Sequence, residues 1–118
     1  MWVVVTSQRF RDWFAGLSEP ERKSVIRTVR LLEQFGPQLP DKYSRHIVNS
    51  RHSHMRELRI QHGGRPYRVL YAFDPLRRAV LLVGGDKTGN DRWYGENIPI
   101  ADRVYDEWLK KLQEEADE

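Results

Sequence analysis

The segment Arg56-Glu57-Leu58-Arg59-Ile60-Gln61-His62-Gly63-Gly64-Arg65-Pro66-Tyr67-Arg68-Val69-Leu70-Tyr71 constrains the fold more than any other part of the chain. Apolar and polar residues alternate on both sides of a Gly-Gly pair, and a two-residue hairpin turn needs residues that tolerate positive φ. The segment therefore predicts strand, tight turn, strand. With Gly63 and Gly64 as the turn, His62 pairs with Arg65 and Arg59 lies opposite Arg68. Like charges directly opposite on a sheet repel, so this pairing gains nothing unless an anion sits between the guanidiniums. Phosphate is the leading candidate. The competing reading is a structural network in which Glu57, with an acidic residue of the last helix, neutralises the pair.

The flanking sequence predicts an α+β domain. Residues 2 to 6 read as a short strand, apolar on both faces and so expected inside a sheet or under a helix. Thr6 or Ser7 can cap a helix whose Phe10, Trp13, Phe14 and Leu17 form one stripe. Ser18-Glu19-Pro20-Glu21 is a capping box with proline in the first turn and starts a second helix, with Val25, Ile26, Val29, Leu32 and Phe35 as its buried face and Gly36-Pro37 as its stop. Gln38 to His54 reads as a basic loop with room for a short strand at Ile47-Val48. Strands follow near 55 to 62, 66 to 73 and 78 to 84, and a last helix begins after Asn97 and Pro99.

Carrying the register outward gives the sheet two unlike faces. Leu58, Ile60, Tyr67, Val69, Tyr71 and Phe73 form an apolar face for the helical hairpin. Glu57, Arg59, Gln61, Arg68, Leu70 and Ala72 form the other. Pairing Phe73 with Arg78 would add Leu81 and Val83 to it, and Lys87 too if the chain stays extended. The expected architecture is an N-terminal strand and helical hairpin packed on a small, mostly antiparallel sheet, closed by a C-terminal helix. Residues 1–118 read as one domain with a frayed tail from about 113.

Charge is unevenly spread along the chain. The formal net charge is +3, but residues 42 to 92 hold eleven Lys/Arg against four Asp/Glu, whereas residues 93 to 118 hold three against eight. A basic middle suits a phosphate-binding surface. The chain has no cysteine, which excludes disulfides, zinc-thiolate sites and thiol catalysis. Its leading apolar run is too short for an export signal, and no segment reaches membrane-spanning length.

Gly84 to Gly95 is a glycine-rich loop that delivers Lys87, Arg92, Trp93 and Tyr94 to the end of the sheet. Tyr94 can stack on a base or transfer a proton, with a phenol pKa expected to be depressed by nearby cations. Trp93 can stack on a base or pack against the sheet. Lys42, Arg45 and Arg92 are candidate RNA contacts, as are Arg56 and Arg65, whose stems should cover the fringe of the apolar face. His46, His52 and His54 have no accompanying carboxylate, and they read as a basic loop and not a metal site. Asp86-Lys87-Thr88-Gly89 lacks the order of a nucleotide phosphate loop.

The order β-α-α-β-β-β-α, with Glu57-Leu58-Arg59, Tyr67-Arg68-Val69-Leu70-Tyr71 and Gly85-Asp86-Lys87-Thr88 in succession, resembles the RelE/ParE toxin superfamily, and within it the HigB-like, phage-derived branch of type II toxin–antitoxin systems. The resemblance covers nearly the whole chain. It implies a small cytoplasmic toxin that enters the ribosomal A site and cuts translated mRNA with no metal or cofactor. It also implies a cognate antitoxin, usually a helix-turn-helix, HigA-like protein, and places family-like roles on Arg59, Arg68, Lys87 and Tyr94. Two other readings stay open: a gyrase-poisoning toxin that cuts nothing, and an inactive member that only binds an antitoxin or nucleic acid.

Cutting RNA in this way uses the substrate's own 2′-hydroxyl, so DNA should be inert. It needs a base for the 2′ proton, an acid for the leaving oxygen and cations for the extra charge of the five-coordinate phosphorus. Arg59 and Arg68 fit the last role and Lys87 could support the leaving oxygen. Glu57, on the strand face of Arg59, is the favoured base, with Asp86, Asp91 and His54 as rivals.

Overall fold

A computed structural model describes residues 1–118. The α+β architecture is the one expected, with one strand more. In chain order it runs β1 (Val4–Thr6), α1 (Gln8–Ala15), α2 (Glu19–Phe35), a 3-10 turn (Gly36–Gln38), β2 (Ser44–His46), β3 (Arg56–His62), β4 (Arg65–Phe73), β5 (Ala79–Asp86) and α3 (Trp93–Ala116). The five strands form a single sheet in the order β1-β5-β4-β3-β2, antiparallel except where β1 runs parallel to β5.

Local chemistry explains the helix starts. Ser7 caps α1 by accepting from Phe10 N at 3.0 Å. At α2 the capping box is complete: Ser18 Oγ accepts from Glu21 N at 3.3 Å, and Glu21 Oε1 accepts from Ser18 N at 2.8 Å, so two backbone donors that a helix end leaves orphaned are satisfied. Glu21 also receives the Tyr67 hydroxyl, which ties the helix to the sheet.

The sheet is covered on both sides. Val25 and Leu32 of α2 and Phe10 of α1 bury against Leu58, Ile60, Tyr67, Val69 and Tyr71. On the opposite face Leu70, Ala72, Val80, Leu82 and Val83 receive Trp93, Ile98, Ala101 and Tyr105 of α3. Helix α3 packs on β4 and β5 and reaches β3 through Tyr94, so Glu57 is buried while its neighbour Arg59 stays partly exposed.

Several expectations need correction. β1 is an edge strand of three half-buried residues, not an interior one. In α2, Ile26 and Phe35 are exposed and Ser24 and Thr28 are buried in their place, because the face that meets the sheet is rotated toward the polar side of the predicted stripe. The short strand before the hairpin is Ser44–His46, not Ile47-Val48; its register, Ser44 with Leu58, puts Ile47 in the core and leaves Val48 83 % exposed. Helix α3 starts at Trp93 and runs through Pro99. A proline there costs one helical hydrogen bond, the one Gly95 C=O would accept, and the exposed position of Gly95 lets water satisfy that carbonyl.

The turn into β5 also differs from expectation. Asp74 Oδ1 accepts from Leu76 N and Arg78 N, and Arg77 takes positive φ at 63°. This longer turn shifts the register so that Phe73 pairs with Ala79, and a bulge between Leu70 and Tyr71 shifts it again. Leu81 therefore pairs with Tyr71 and belongs to the helical-hairpin face, while Val83 pairs with Leu70 on the face covered by α3. The bulge gives β5 one additional residue on the way to Lys87.

Candidate functional site

The β3–β4 hairpin places Arg59 directly opposite Arg68, the pairing expected from the Gly63-Gly64 turn, whose φ values are 56° and 77°. Glu57 relieves the repulsion. Its Oε1 accepts from Arg59 Nη1 at 3.0 Å and from the Tyr94 hydroxyl at 3.1 Å, and lies 3.3 Å from Arg68 Nε. The Glu57 and Arg68 side chains are 4 % and 6 % exposed and Arg59 is 27 % exposed. Burying either partner alone would leave an uncompensated charge, a cost of about 3–5 kcal/mol, so Glu57 and Arg68 require one another.

That single carboxylate does not exhaust the cations. Arg68 Nη1 donates to Tyr67 O at 2.9 Å, but its buried Nε has no aligned acceptor, since Glu57 lies near it off the N–H direction. Arg59 makes no side-chain hydrogen bond besides the one to Glu57. Two guanidiniums against one carboxylate leave a net positive charge with N–H groups to spare, which is what a phosphodiester needs. The ion-pair network expected as the competing reading is present, with Glu57 alone as its carboxylate, and it falls on the residues expected to hold an anion.

Tyr94 reaches Glu57 from the first turn of α3. Burial pushes its phenol pKa up, and the hydrogen bond to Glu57 and that carboxylate's charge push it further, outweighing the lowering effect of Arg68. The expected depression is therefore reversed: burial and the Glu57 carboxylate together outweigh the Arg68 guanidinium beside the hydroxyl. Lys87, anchored through its N–H to Pro66 O at 3.0 Å, holds its ammonium 5.8 Å from the centre of the Tyr94 ring. With the turn Thr88–Asp91 these two residues line a cleft of 550 Å³.

The rival bases lie elsewhere. His54 Nε2 is hydrogen-bonded to the Tyr105 hydroxyl at 3.0 Å. Asp86 pairs with Tyr67 in the register, on the helical-hairpin face, and accepts from Thr88 and Arg65. Asp91 is exposed on the rim of the Lys87 cleft. Neither His54, Asp86 nor Asp91 touches Arg59 or Arg68.

The expected RNA contacts divide. Arg45, exposed on β2, is the register partner of Glu57 and shares its face. Lys42 lines a second cleft together with Arg59 and Arg68. Arg92 is exposed at the start of α3. Arg56 and Arg65 fall on the opposite face: Arg56 Nε donates to Ser44 Oγ at 3.0 Å, and Arg65 is shared between Glu21 at 3.6 Å and Asp86 at 3.3 Å. Trp93 is a core residue, packed so closely on Gly85 that any Cβ there would collide with its ring. It offers no free face to a base.

Ser24, Arg27 and Thr28, which line the second cleft beside Gln61, are not among the residues expected from the sequence. Ser24, Arg27, Thr28 and Leu31 fall at i, i+3, i+4 and i+7 on α2, a mixed stripe beside the apolar one, but a stripe of this kind is equally what a solvent-facing helix surface shows.

A family model described as phage-derived protein Gp49-like (DUF891) matches residues 12–106. The chain belongs to this family. Over 107 residues it is 42 % identical to the Mycobacterium tuberculosis (strain ATCC 25618 / H37Rv) protein described as "Putative toxin HigB3", covering 90 % of this chain and 92 % of that one. Over 109 residues it is 36 % identical to "Putative toxin HigB2" of the same organism, covering 91 % of this chain and about half, 54 %, of that longer one. No solved structure matches. The HigB-like resemblance expected from the hairpin motifs is borne out.

Proposed function

We propose that this chain is the toxin of a type II toxin–antitoxin system and cuts mRNA on the ribosome, with the Glu57–Arg59–Arg68–Tyr94 cluster as its reaction centre. The observation that carries this reading is the buried carboxylate between two opposed guanidiniums, with a protonated phenol on the same oxygen. Glu57 Oε2, which no protein group occupies, takes the proton of the 2′-hydroxyl. The 2′ oxygen then attacks phosphorus, the bond from phosphorus to O5′ breaks, and Tyr94 protonates O5′. The products are a 2′,3′-cyclic phosphate and a 5′-hydroxyl. Arg59 and Arg68 stabilise the charge gathered on the phosphorane, and Lys87 adds to the field at the leaving oxygen. The ribosome supplies the orientation of the nucleotide, which can be worth roughly 7–11 kcal/mol. The family reading adds a cognate antitoxin, a helix-turn-helix protein of HigA type, that keeps the toxin inactive.

The test is a translation extract programmed with a defined mRNA. Wild-type protein freed of antitoxin should cut inside codons and leave cyclic phosphate ends. Arg68→Ala should lower the rate by about a hundredfold to a thousandfold, with Arg59→Ala as the less buried companion that keeps the fold. Intact mRNA at saturating wild-type protein would overturn the proposal. Inhibition of gyrase supercoiling in a parallel reaction would point to the non-cutting branch.

A further inference from the structure

On the far side of Arg59 from Lys87 lies a cleft of 410 Å³ that the proposed reaction does not use. It forms where β2 ends. Tyr43 O accepts from Arg59 N at 2.8 Å, the last backbone bond on that edge of β3. Beyond it, Gln61 has no strand opposite. In this hairpin the even positions of β3 bond to β4, so the N–H and C=O of Gln61 point outward to the unpaired edge. Helix α2 forms the opposite wall through Ser24, Arg27 and Thr28, and Lys42 closes the end.

The charge of this cleft is one-sided. Arg27, Lys42, Arg59 and Arg68 all line it, and no carboxylate does. Neither Arg27 nor Lys42 makes an ion pair or side-chain hydrogen bond with the protein, and the Lys42 ammonium lies over the Tyr43 ring, 5.5 Å from its centre. Arg68, 5 % exposed, also lines the cleft, and its buried Nε lies 3.3 Å from Glu57 without an aligned hydrogen bond. Glu57, outside the cleft, pairs with Arg59 and Arg68, but one carboxylate against four cations leaves an excess of positive charge around the cavity, and an anion is the simplest group that relieves it. The cleft is also continuous, through Arg59 and Arg68, with the reaction centre.

We infer that this cleft is a second phosphate seat, holding the RNA backbone on the 5′ side of the nucleotide whose 2′-hydroxyl reacts. The inference rests on the reading above, and the direction follows from its proton routes. The leaving O5′ opens the 3′ nucleotide, and the acid and ammonium that serve it, Tyr94 and Lys87, lie toward β5 and α3. The 2′-hydroxyl is served by Glu57 on β3. The strand therefore crosses the sheet from the β3 edge to the β5 end, and the phosphate upstream of the reacting nucleotide falls between Lys42 and Arg27. These are positioning residues: they touch the backbone one step from the reacting atoms.

The experiment measures binding, not cleavage. RNA oligonucleotides carrying a single 2′-deoxy residue at the reacting position, labelled at the 3′ end and extended by two nucleotides on either the 5′ or the 3′ side, are titrated with wild-type protein and with Arg27→Ala/Lys42→Ala. Both side chains are exposed, and an unchanged thermal midpoint confirms the fold of the variant. For wild type, 5′ extension should tighten binding about tenfold. The double variant should lose that gain, keep the gain from 3′ extension, and show a salt dependence weaker by roughly 1.4 in log–log slope. Equal losses for both extensions, no loss, or no binding of any oligonucleotide by wild type would overturn the inference. So would wild-type preference for an acidic peptide over the 5′-extended RNA, which would make the cleft a protein-docking site. Loss of 5′ binding in the variant alongside an extract that leaves mRNA intact would preserve the seat and remove the nuclease, so the two failures are separable.

Discussion

Glu57 Oε1 serves Tyr94, Arg59 and the edge of Arg68 at once, so changes at this residue separate charge from shape. Glu57→Gln keeps the volume and removes both the proposed base and the charge that Arg68 needs. It should abolish cutting and destabilise the fold, whereas Tyr94→Phe should leave stability near wild type and reduce the rate by about a hundredfold or more. The pH behaviour follows from the raised phenol of Tyr94. A group whose folded pKa lies above its ordinary value of 10.0 keeps its proton throughout the neutral range, so an acid role predicts no fall in single-turnover cutting up to about pH 9. A fall centred between about pH 7 and 8 would assign the acid to another group.

At the scale of elements, Glu21 connects the start of α2 to the sheet through Ser18, Tyr67 and Arg65. The Tyr67 hydroxyl, then Ser18, lower its pKa from 4.5 to about 2, while burial and Glu21 raise Tyr67 to about 12. A carboxyl with a depressed folded pKa stabilises the fold fully above its unfolded value and loses that contribution as pH falls through its folded one. The gap in thermal midpoint between wild type and Glu21→Gln should therefore be full at neutral pH, persist to about 4.5 and close toward about 2. A gap independent of pH would leave only the cap geometry. The capping box was legible in the sequence because four consecutive residues encode it. So was the opposition of Arg59 and Arg68, because a two-residue turn fixes the register. The β5 register was not, because Arg77 adopts a positive φ without being glycine and the bulge after Leu70 leaves no compositional mark. The start of α3 was hidden by Pro99, whose cost is offset by the burial of Trp93 and Ile98 on the sheet. That error placed Tyr94 on a loop, whereas the helix brings it to Glu57. The role of α2 in the second cleft was hidden because its polar stripe is read as solvent-facing until Lys42 and Gln61 are seen across from it.

At the scale of the molecule, one sheet carries two cores, and they bear on the site differently. The core under α1 and α2 lies on the face away from Glu57, and Leu32 at its centre is fully buried. The core under α3 holds Ile98, one turn beyond Tyr94, and also the Trp93 ring that rests on Gly85. Leu32→Ala should cost about 2–5 kcal/mol and reduce cutting only through the fraction of molecules unfolded, so activity per folded molecule stays at the wild-type level. Ile98→Ala, with a similar loss of buried volume, loosens the turn that aims Tyr94, and a displacement near 1 Å in a positioned group can cost about a hundredfold in rate. Its activity should fall further than its unfolding curve accounts for. Denaturant titration beside single-turnover cutting measures both quantities on the same samples. Proportional losses in the two variants would mean that α3 holds Tyr94 by its backbone alone, independently of the core beneath it.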